Sequence, residues 1–269
     1  MPLPRFDLFE LEDLPWFPVA IRDLATDYLR FMETRFELHR PVLPLLRDAL
    51  EQSATTAVVD LCSGAGGPVV ALYEALIRDG VAIRFILTDK YPNLAAFREV
   101  AAKHAPGISY VADSVDASAV PQELSGLRTM FNAFHHFSPP AARRVLQCAV
   151  VARQPIGIFE IPERTVPTIV PLLLTPLFVA LATPFIRPFR WRRLLWTYLL
   201  PLVPLTCWWD GVVSQLRAYT VSELEVLAHG FGDIGYEWKA GRVPIGHTPV
   251  HLTYLVGIPK QLLRADELL

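Results

Sequence analysis

The sequence predicts an α/β fold: a doubly wound, mostly parallel seven-stranded sheet with helices on both faces, N-terminal cap helices and a hydrophobic helical insertion after strand 5. Three observations predict it. Five short apolar runs alternate with segments of helical periodicity between residues 57 and 163. Two late runs have the pattern of strands, which predicts an antiparallel pair that closes the sheet. Between these parts, residues 165–209 carry charge only in one arginine cluster.

The first predicted strand and the loop after it are the most informative stretch. A β-branched apolar run ends at Asp60, and glycines follow at positions 64, 66 and 67 before a helical pattern begins. Glycine allows a ligand to touch the backbone and permits positive φ. Free N–H groups at the start of a helix favour an anionic group. The stretch therefore predicts a nucleotide or nucleoside site at the carboxyl end of this strand; a glycine-rich turn without a ligand is the alternative.

The other elements follow in order along the chain. Residues 1–16 are rich in proline, acids and aromatic residues, and we expect them to lie across the domain surface. Thr220 to Glu223 resembles a capping box at the start of a late helix, with Gly230 as its C-cap. Further strands are predicted at 81–89, 108–114, 126–131, 156–163, 234–239 and 251–257, and helices from residue 18, after Pro41 to residue 52, and at 68–77, 94–103, 139–151 and 220–228.

Two acids end predicted strands on either side of the glycine loop. Asp89 follows Gly66 by about twenty residues, the spacing expected between such a loop and a carboxylate that accepts both hydroxyl hydrogens of a ribose. A helix N-cap is the alternative role for Asp89. The third predicted strand also ends in an acid, Asp113, with Ser114 next to it.

The pattern from Asp60 to Gly66 resembles motif I of the class I S-adenosylmethionine (SAM)-dependent methyltransferases, with Cys62 in place of the motif's first glycine. A dinucleotide fingerprint does not fit, because Val69 stands where its third glycine should be. A Walker A loop does not fit either, since it needs Gly-Lys followed by Ser or Thr. The resemblance covers residues 50–163 and 215–259.

The resemblance implies a Rossmann-like core that binds SAM and releases S-adenosylhomocysteine. It also implies that the helices before residue 52 cap the cofactor and substrate pocket; packing on the core alone is the alternative. Asp113 would accept a hydrogen bond from the exocyclic amine of the adenine, with Ser114 beside it. The cofactor-binding residues that the resemblance implies are Asp60, Cys62, Ser63, Gly64, Gly66, Asp89, Lys90, Asp113, Ser114 and Asn132.

The chemistry that this cofactor supplies indicates which side chains are needed. Methyl transfer from a sulfonium is an in-line displacement, so the protein mainly supplies proximity and alignment, and an acceptor hydroxyl also needs a base. His135 and His136 follow the fourth strand, and we predict that one of them is this base; packing or orienting the loop is the alternative. Glu160, Glu163 and Asp210 fit caps or ion pairs better. We find no metal-ligand spacing.

Charge and cysteine content restrict the class of function. The formal net charge of −2 gives no electrostatic footprint for nucleic acid. Asn132 is not followed by Pro-Pro-Tyr, which disfavours methylation of a nucleic-acid base amine. The 3 cysteines are scattered and odd in number, which indicates a reducing compartment without a disulfide framework or a zinc cluster. The first residues lack the basic and apolar regions of a signal peptide, so we expect a cytoplasmic protein.

Residues 165–209 differ from the rest of the chain. Two uncharged arms flank a cluster of four arginines, and four prolines interrupt the first arm, which approaches the length of a membrane span. We expect a hairpin in the membrane interface, with the arginines at the headgroups and tryptophans at the belt; a lid packed on the domain is the alternative. In both cases an apolar wall beside the pocket implies an apolar acceptor.

These observations predict the organisation of the chain and three functions. The N-terminal cap helices would occupy residues 1–52, the SAM-binding core 53–164, the insertion 165–209 and the C-terminal completion of the sheet 210–269. The leading function is a SAM-dependent methyltransferase that acts on a small lipophilic or lipid-like acceptor, at oxygen, with peripheral contact at the inner face of the membrane. A membrane-associated binding protein without turnover on this scaffold is the alternative, and a nicotinamide oxidoreductase is the third. The oligomeric state stays open.

Overall fold

A seven-stranded sheet lies at the centre of the computed structural model, which describes residues 2–231, 235–246, 248 and 250–260. The strands are β1 (Ala57–Asp60), β2 (Arg84–Leu87), β3 (Ile108–Tyr110), β4 (Leu127–Phe131), β5 (Ile156–Glu160), β6 (Tyr236–Pro244) and β7 (His251–Pro259). Their order is β3-β2-β1-β4-β5-β7-β6. The first five are parallel, and β7 is antiparallel to both β5 and β6. The predicted fold class is therefore confirmed.

Ten helices surround the sheet in the described part of the chain. They are α1 (Val19–Arg35), α2 (Val42–Ser53), α3 (Gly67–Arg78), α4 (Leu94–His104), α5 (Pro139–Val151), α6 (Val166–Ile169), α7 (Thr175–Ala182), α8 (Trp191–Leu194), α9 (Leu202–Arg217) and α10 (Val221–His229). Shorter 3₁₀ turns lie at Leu11–Asp13, Phe134–His136, Val170–Leu174 and Thr183–Phe185, and a π-helical turn at Leu195–Leu199.

Two apolar cores cover opposite faces of the sheet. On one face, α2, α3 and α4 contribute Leu46, Leu72 and Phe97, all fully buried. On the other face, α5 and α10 contribute Leu146 and Leu224, which are equally buried. Alternate residues of β1 belong to the two cores because successive side chains of a strand point to opposite faces. Strands β1 and β5 are buried at every position, which explains their near-continuous apolar sequence.

Several predicted element ends differ from the structure. β3 stops at Tyr110, so Asp113 lies in the following loop and does not end the strand as predicted. β6 continues to Pro244, well past the predicted end, because it pairs with β7 along its whole length. The predicted start of that strand, Ile234, lies outside the described residues. Edge pairing of this kind depends on a distant partner strand, which local sequence does not show.

The insertion forms the helices α6 to α9, of which α7 and α9 pack against α1. Val179, Val203 and Cys207 share a buried cluster with Ile21 and Leu24 of α1. Hydrophobic contact with α1 therefore holds one side of the insertion against the domain. Helix α9 runs on to Arg217, beyond residue 209, where the insertion was predicted to end.

One arginine of the predicted headgroup cluster is internal. Arg193 is only 2% exposed, and it donates to the Asp27 carboxylate of α1 at 2.6 Å and to the carbonyl of Ile186 at 3.0 Å. The expectation that all four arginines face the headgroups was wrong for Arg193. A buried guanidinium needs a carboxylate partner, and Asp27 on the neighbouring helix supplies it.

The capping box of α10 gives the first testable prediction. The Thr220 hydroxyl accepts a hydrogen bond from the Glu223 N–H at 3.3 Å, and the Glu223 carboxylate accepts one from the Thr220 N–H at 2.8 Å. We expect Thr220→Ala to lower the free energy of unfolding by about 1 kcal/mol, because it leaves a helix N–H without its acceptor. Urea unfolding followed by circular dichroism measures this change. The exposed Thr34→Ala in α1 is the control, and equal losses in the two variants would contradict the prediction.

Candidate functional site

The sheet order brings the candidate site to the carboxyl ends of the parallel strands. β1 pairs with β2 on one side and with β4 on the other. The connection that follows β1 therefore leads toward one edge of the sheet, and the connection that follows β4 leads toward the opposite edge. Such a reversal leaves a crevice outside the strand ends, where open α/β sheets bind ligands. The glycine loop, Asp89 and Asn132 all follow strands that end at this edge.

The glycine loop has the backbone that its sequence predicts. Gly64 and Gly66 have φ angles of 54° and 75°, in the left-handed region that glycine adopts without strain. Cys62 also has a positive φ, of 59°, which explains why a glycine fits that position of the motif. The loop is tied to β2 by the Ser63 N–H, which donates to the carbonyl of Thr88 at 2.9 Å.

Asp89 reaches across to this loop, as the spacing predicted. Its Oδ2 accepts a hydrogen bond from the Gly64 N–H at 2.9 Å, and its Oδ1 accepts one from the Tyr91 N–H at 2.8 Å. The carboxylate is half-buried at the end of β2. It therefore lies beside the loop, where a ribose bound over the glycines would meet it.

Asp60 is further inside the protein than a ligand contact requires. It is 2% exposed, and its Oδ1 accepts a hydrogen bond from the Thr129 hydroxyl of β4 at 2.8 Å. Burial raises the pKa of Asp60 to about 7, and the Thr129 hydrogen bond acts in the opposite direction. In this structure Asp60 therefore joins β1 to β4 and supports the loop from below.

Three other predicted cofactor residues lie on the exposed side of this edge. Asp113 and Ser114 are exposed, and the Ser114 hydroxyl donates to the carbonyl of Lys90 at 2.7 Å. The Lys90 ammonium pairs with Asp116 at 3.0 Å. Asp113 remains open to solvent, at a position where it can accept from a ligand amine.

Helix α1 lies over the glycine loop and contributes a carboxylate that the sequence did not reveal. A Cβ at Gly67 would collide with the Glu33 carboxylate, so the third glycine of the loop makes room for this side chain. Asn132 donates to Glu33 Oε1 at 3.1 Å and accepts from the Ile161 N–H at 2.8 Å. Glu33 and Asn132, with Phe131 and Phe159, line a narrow cleft beside the start of α3.

The Glu33 carboxylate is poised to change its protonation near neutral pH. Burial raises the pKa of Glu33 to about 7, and the hydrogen bond from Asn132 acts in the opposite direction. A carboxylate with such a pKa can accept a proton from a ligand held in the cleft. The only sequence signal was Gly67, which indicates a close approach but does not identify the partner.

The two predicted bases, His135 and His136, lie beneath the N-terminal segment. His135 is 2% exposed, and its Nδ1 lies 2.6 Å from Glu160 Oε2. His136 Nδ1 lies 2.9 Å from Asp13 Oδ1 and 3.4 Å from Glu10 Oε2. Burial lowers the pKa of His136, but Glu10, Asp13 and Glu12 outweigh it and raise the pKa to about 10. Neither histidine is among the residues that line the Glu33 cleft, so a catalytic role for either one stays a prediction.

The N-terminal segment is therefore more than a surface strap. Glu10 is fully buried, and Arg217 of α9 pairs with it at 3.4 Å and with Asp13 at 2.9 Å. Arg217 also donates to the carbonyls of His135, at 3.1 Å, and of His136. The expectation that residues 1–16 only cross the surface was wrong for Glu10, because a single carboxylate in an acidic stretch does not show which distant side chains it meets.

The three acids that the sequence assigned to caps or ion pairs have those roles. Glu160 pairs with His135, and Glu163 pairs with Arg242. Asp210 accepts hydrogen bonds from the N–H groups of Leu11, at 2.6 Å, and Glu12, at 3.2 Å, and so fixes the N-terminal turn.

Comparison with known proteins supports the fold. No family model and no curated protein matches the sequence. The SAM-dependent methyltransferase SibL in its apo form is 17% identical, with a TM-score of 0.50 over 82% of this chain and 55% of its own. The citrinin polyketide synthase CMeT domain is 12% identical, with a TM-score of 0.48 over 77% of this chain and 47% of its own. An O-methyltransferase family protein from Burkholderia thailandensis is 14% identical, with a TM-score of 0.47 over 88% and 60%.

This chain spans about half the length of these structures. The likeness to SibL, together with the strand order, shows that the chain has the class I methyltransferase fold. At such low identities the likeness extends to the fold alone.

The raised pKa of Glu33 gives the second prediction, on stability. A carboxyl whose folded pKa lies above its unfolded value stabilises the fold at low pH, and this stabilisation is lost as pH rises through the folded pKa. For Glu33 this stabilisation is lost as the pH rises from its usual pKa of 4.5 to its pKa of about 7 in the folded protein. We expect Glu33→Gln to flatten the pH dependence of the free energy of unfolding in this window, by an amount on the order of 2 kcal/mol.

Chemical unfolding at several pH values measures the effect. The exposed Glu51→Gln in α2 is the matched control and should follow the wild type. A Glu33→Gln curve parallel to the wild type across the window would show that Glu33 does not titrate there.

Proposed function

We propose that this protein is a SAM-dependent methyltransferase that acts on a small lipophilic acceptor, at oxygen. The observation that carries the proposal is the Asp89 carboxylate held 2.9 Å from the Gly64 N–H, at the reversal point of a 3-2-1-4-5-7-6 sheet. An acid that could bind a ribose and a glycine loop thus lie at one crevice, which supports the proposal. The SAM-dependent methyltransferase SibL has a similar fold, and this similarity of fold supports the proposal.

The donor and acceptor groups of the crevice fit SAM better than a dinucleotide. Val69 replaces the glycine that a pyrophosphate-binding loop requires next to the helix. Three carboxyl groups lie around the loop, from Asp89, Asp60 and Glu33, and the last two have pKa values of about 7. Acidic groups attract a sulfonium and repel a pyrophosphate. When bound, SAM supplies an electrophilic methyl group, and the protein has to align an acceptor with it.

The cleft beside Glu33 and Asn132 is our proposed position for the acceptor; its cavity volume of about 10 Å³ means that it would have to widen when the acceptor binds. Its walls are mainly apolar, with Phe131, Phe159 and Leu252, which suits a lipophilic molecule. Glu33 would accept the proton of an acceptor hydroxyl as its oxygen bonds the methyl carbon, while the electrons of the broken bond remain on the sulfur. A base with a pKa near 7 suits this task at neutral pH.

The third prediction tests the cofactor and its site together. We expect full-length protein to bind SAM and S-adenosylhomocysteine in calorimetric titration, and Asp89→Asn to weaken both at least tenfold. The reason is that an amide cannot accept both ribose hydroxyl hydrogens with a full negative charge. The exposed Asp79→Asn at the end of α3 is the control.

Two results would reject the proposed site. One is SAM affinity that is equal in wild type and Asp89→Asn; the other is a folded wild type that binds NAD but no SAM. Turnover of tritiated SAM with a lipid extract then separates an enzyme from a binding protein on the same scaffold, which remains the alternative.

We also propose peripheral contact with the cytoplasmic face of a membrane, through the outer side of the insertion. Val166–Phe185 is a 20-residue helical stretch with a mean hydropathy of 2.0, long and apolar enough by composition to cross a membrane, and 22% of its most apolar window is buried. Phe189 and Trp191 are exposed beside it, with Arg187 and Arg192 also exposed. Apolar side chains flanked by exposed arginines fit an anionic lipid surface.

The fourth prediction tests this contact. Leu173, Leu177 and Leu181 are spaced four residues apart along the insertion, and their side chains are 54 to 62% exposed. We expect the triple change of these three residues to serine to lower co-sedimentation with anionic vesicles several-fold, because it removes apolar surface that would enter the interface.

The control is Val151→Ser with Val226→Ser, which removes exposed apolar side chains of α5 and α10. Unchanged sedimentation of the triple variant, or a wild type that never sediments, would leave the insertion as a lid packed on α1.

A further inference from the structure

We propose that Glu10, His135 and His136 form a binding site for one divalent transition-metal ion of the zinc type. Nothing in the proposed methyl transfer requires this site, and the sequence predicted no metal. One ligand atom from each of the three residues lies within 4.8 Å of the other two. The separations are 3.7 Å from His135 Nε2 to Glu10 Oε1 and 3.4 Å from His136 Nδ1 to Glu10 Oε2. In a tetrahedral site with Zn²⁺–ligand distances of about 2.0 to 2.2 Å, the ligand atoms lie about 3.4 Å apart. The three side chains would therefore need to move only slightly toward one another to bind the ion.

The ring of His135 is already oriented as a metal ligand. Its Nδ1 lies 2.6 Å from Glu160 Oε2, and Glu160 Oε1 is itself fixed by the N–H of Phe134 at 2.8 Å. With the Nδ1 proton directed at Glu160, the lone pair of Nε2 points toward Glu10. A carboxylate behind a histidine is the arrangement that orients metal-bound imidazoles and makes them more basic.

An unsatisfied atom inside the cluster independently indicates a missing ligand. Glu10 is 0% exposed, yet its Oε2 has no hydrogen-bond partner. The neighbouring atom is His136 Nδ1, which releases its proton when it binds the metal. These two atoms face each other at 3.4 Å. A buried carboxylate oxygen without a hydrogen-bond partner is unfavourable, so the folded protein would be stabilised by a cation that Glu10 Oε2 and His136 Nδ1 both contact.

The charges around the cluster also favour a cation. Four carboxylates meet there, from Glu10, Glu12, Asp13 and Glu160, whereas Arg217 is the one guanidinium paired with them among the described residues. Arg217 donates to Glu10 Oε1 and to Asp13 Oδ2, which leaves Glu10 Oε2 and Asp13 Oδ1 facing His136. Asp13 Oδ1 lies 2.9 Å from His136 Nδ1 but outside the group of three mutually close ligand atoms, so a water molecule would complete a four-coordinate site.

The donor set selects the class of metal. Two imidazole nitrogens with one or two carboxylate oxygens suit Zn²⁺, Co²⁺ or Ni²⁺, whereas Mg²⁺ and Ca²⁺ prefer oxygen ligands throughout. Bound there, the ion would join the N-terminal segment to the turn that follows β4. It would then stabilise the fold, because it binds the folded arrangement and finds no such site in the unfolded chain.

The test uses full-length protein without a histidine tag, freed of metal by a chelator. We expect calorimetry to show one equivalent of Zn²⁺ bound with micromolar or tighter affinity, and Co²⁺ to produce the visible absorption of a low-coordinate nitrogen-ligated ion. Millimolar Mg²⁺ should not displace it. Zn²⁺ should also raise the thermal midpoint of unfolding, and excess chelator should reverse the rise.

Variants decide whether the ion lies at this cluster. Glu10→Gln and His136→Gln, checked for folding by circular dichroism, should each weaken Zn²⁺ binding at least tenfold. Glu160→Gln, which removes only the support behind His135, should weaken it about 10- to 100-fold. His104→Gln, at the separate pair of His104 with Glu74, is the control and should bind as the wild type does.

Two results would overturn the proposal. One is a folded wild type that binds no Zn²⁺, which would make the cluster an ion-pair network of imidazolium and carboxylate groups. The other is equal binding in wild type and the folded Glu10→Gln and His136→Gln variants, which would place any bound ion elsewhere. If Glu10→Gln fails to fold, His136→Gln and Glu160→Gln decide the matter, because neither removes the carboxylate that Arg217 needs.

Discussion

Because β1 is hydrogen-bonded to β2 on one side and to β4 on the other, the whole candidate site is confined to one edge of the sheet. The glycine loop follows β1, Asp89 follows β2, and Asn132 follows β4. Parallel pairing forces these strand ends to lie together, although they are far apart in sequence. The helices then determine how open that edge is, and α1 covers it by placing Glu33 against Gly67.

The same edge contains carboxylates that the fold can bury only with a partner for each. Asp60 has the Thr129 hydroxyl, Glu33 has the Asn132 amide, and Glu160 has the His135 ring. Burial outweighs the single hydroxyl or amide hydrogen bond at Asp60 and Glu33, which is why the pKa of each rises to about 7. In contrast, histidine partners keep the pKa of Glu160 below its usual value despite burial. The partner therefore determines the charge of each acid.

Local sequence predicted the parts of this site that depend on neighbouring residues. The conformation of the loop glycines and the capping box of α10 were confirmed because turn geometry and capping are short-range properties. The ribose-binding role of Asp89 stays a prediction, and its carboxylate does lie beside the loop. Glu10 and Glu33 were missed because their contacts join residues about a hundred or more positions apart, and no periodic pattern marks such a residue. Asp113 is an intermediate case. The sequence indicated it as a candidate cofactor residue at the end of the third strand, but β3 ends at Tyr110 and Asp113 lies in the loop that follows.

The insertion shows how an apolar stretch can satisfy two demands at once. Val179, Val203 and Cys207 bury themselves against α1, and Arg193 fixes the register through Asp27, so one side of α7 and α9 belongs to the core. The side of these helices that faces away from α1 keeps large apolar side chains exposed. This exposure is unfavourable in water, and packing of the insertion on α1 does not explain it. The internal position of Arg193 and the outward position of Arg187 follow from the same division, because a charge without a carboxylate beside it needs the solvent that only the outer side offers. The division of each apolar arm into a buried and an exposed side thus appears only in the packing, because the sequence showed two uncharged arms without such a pattern.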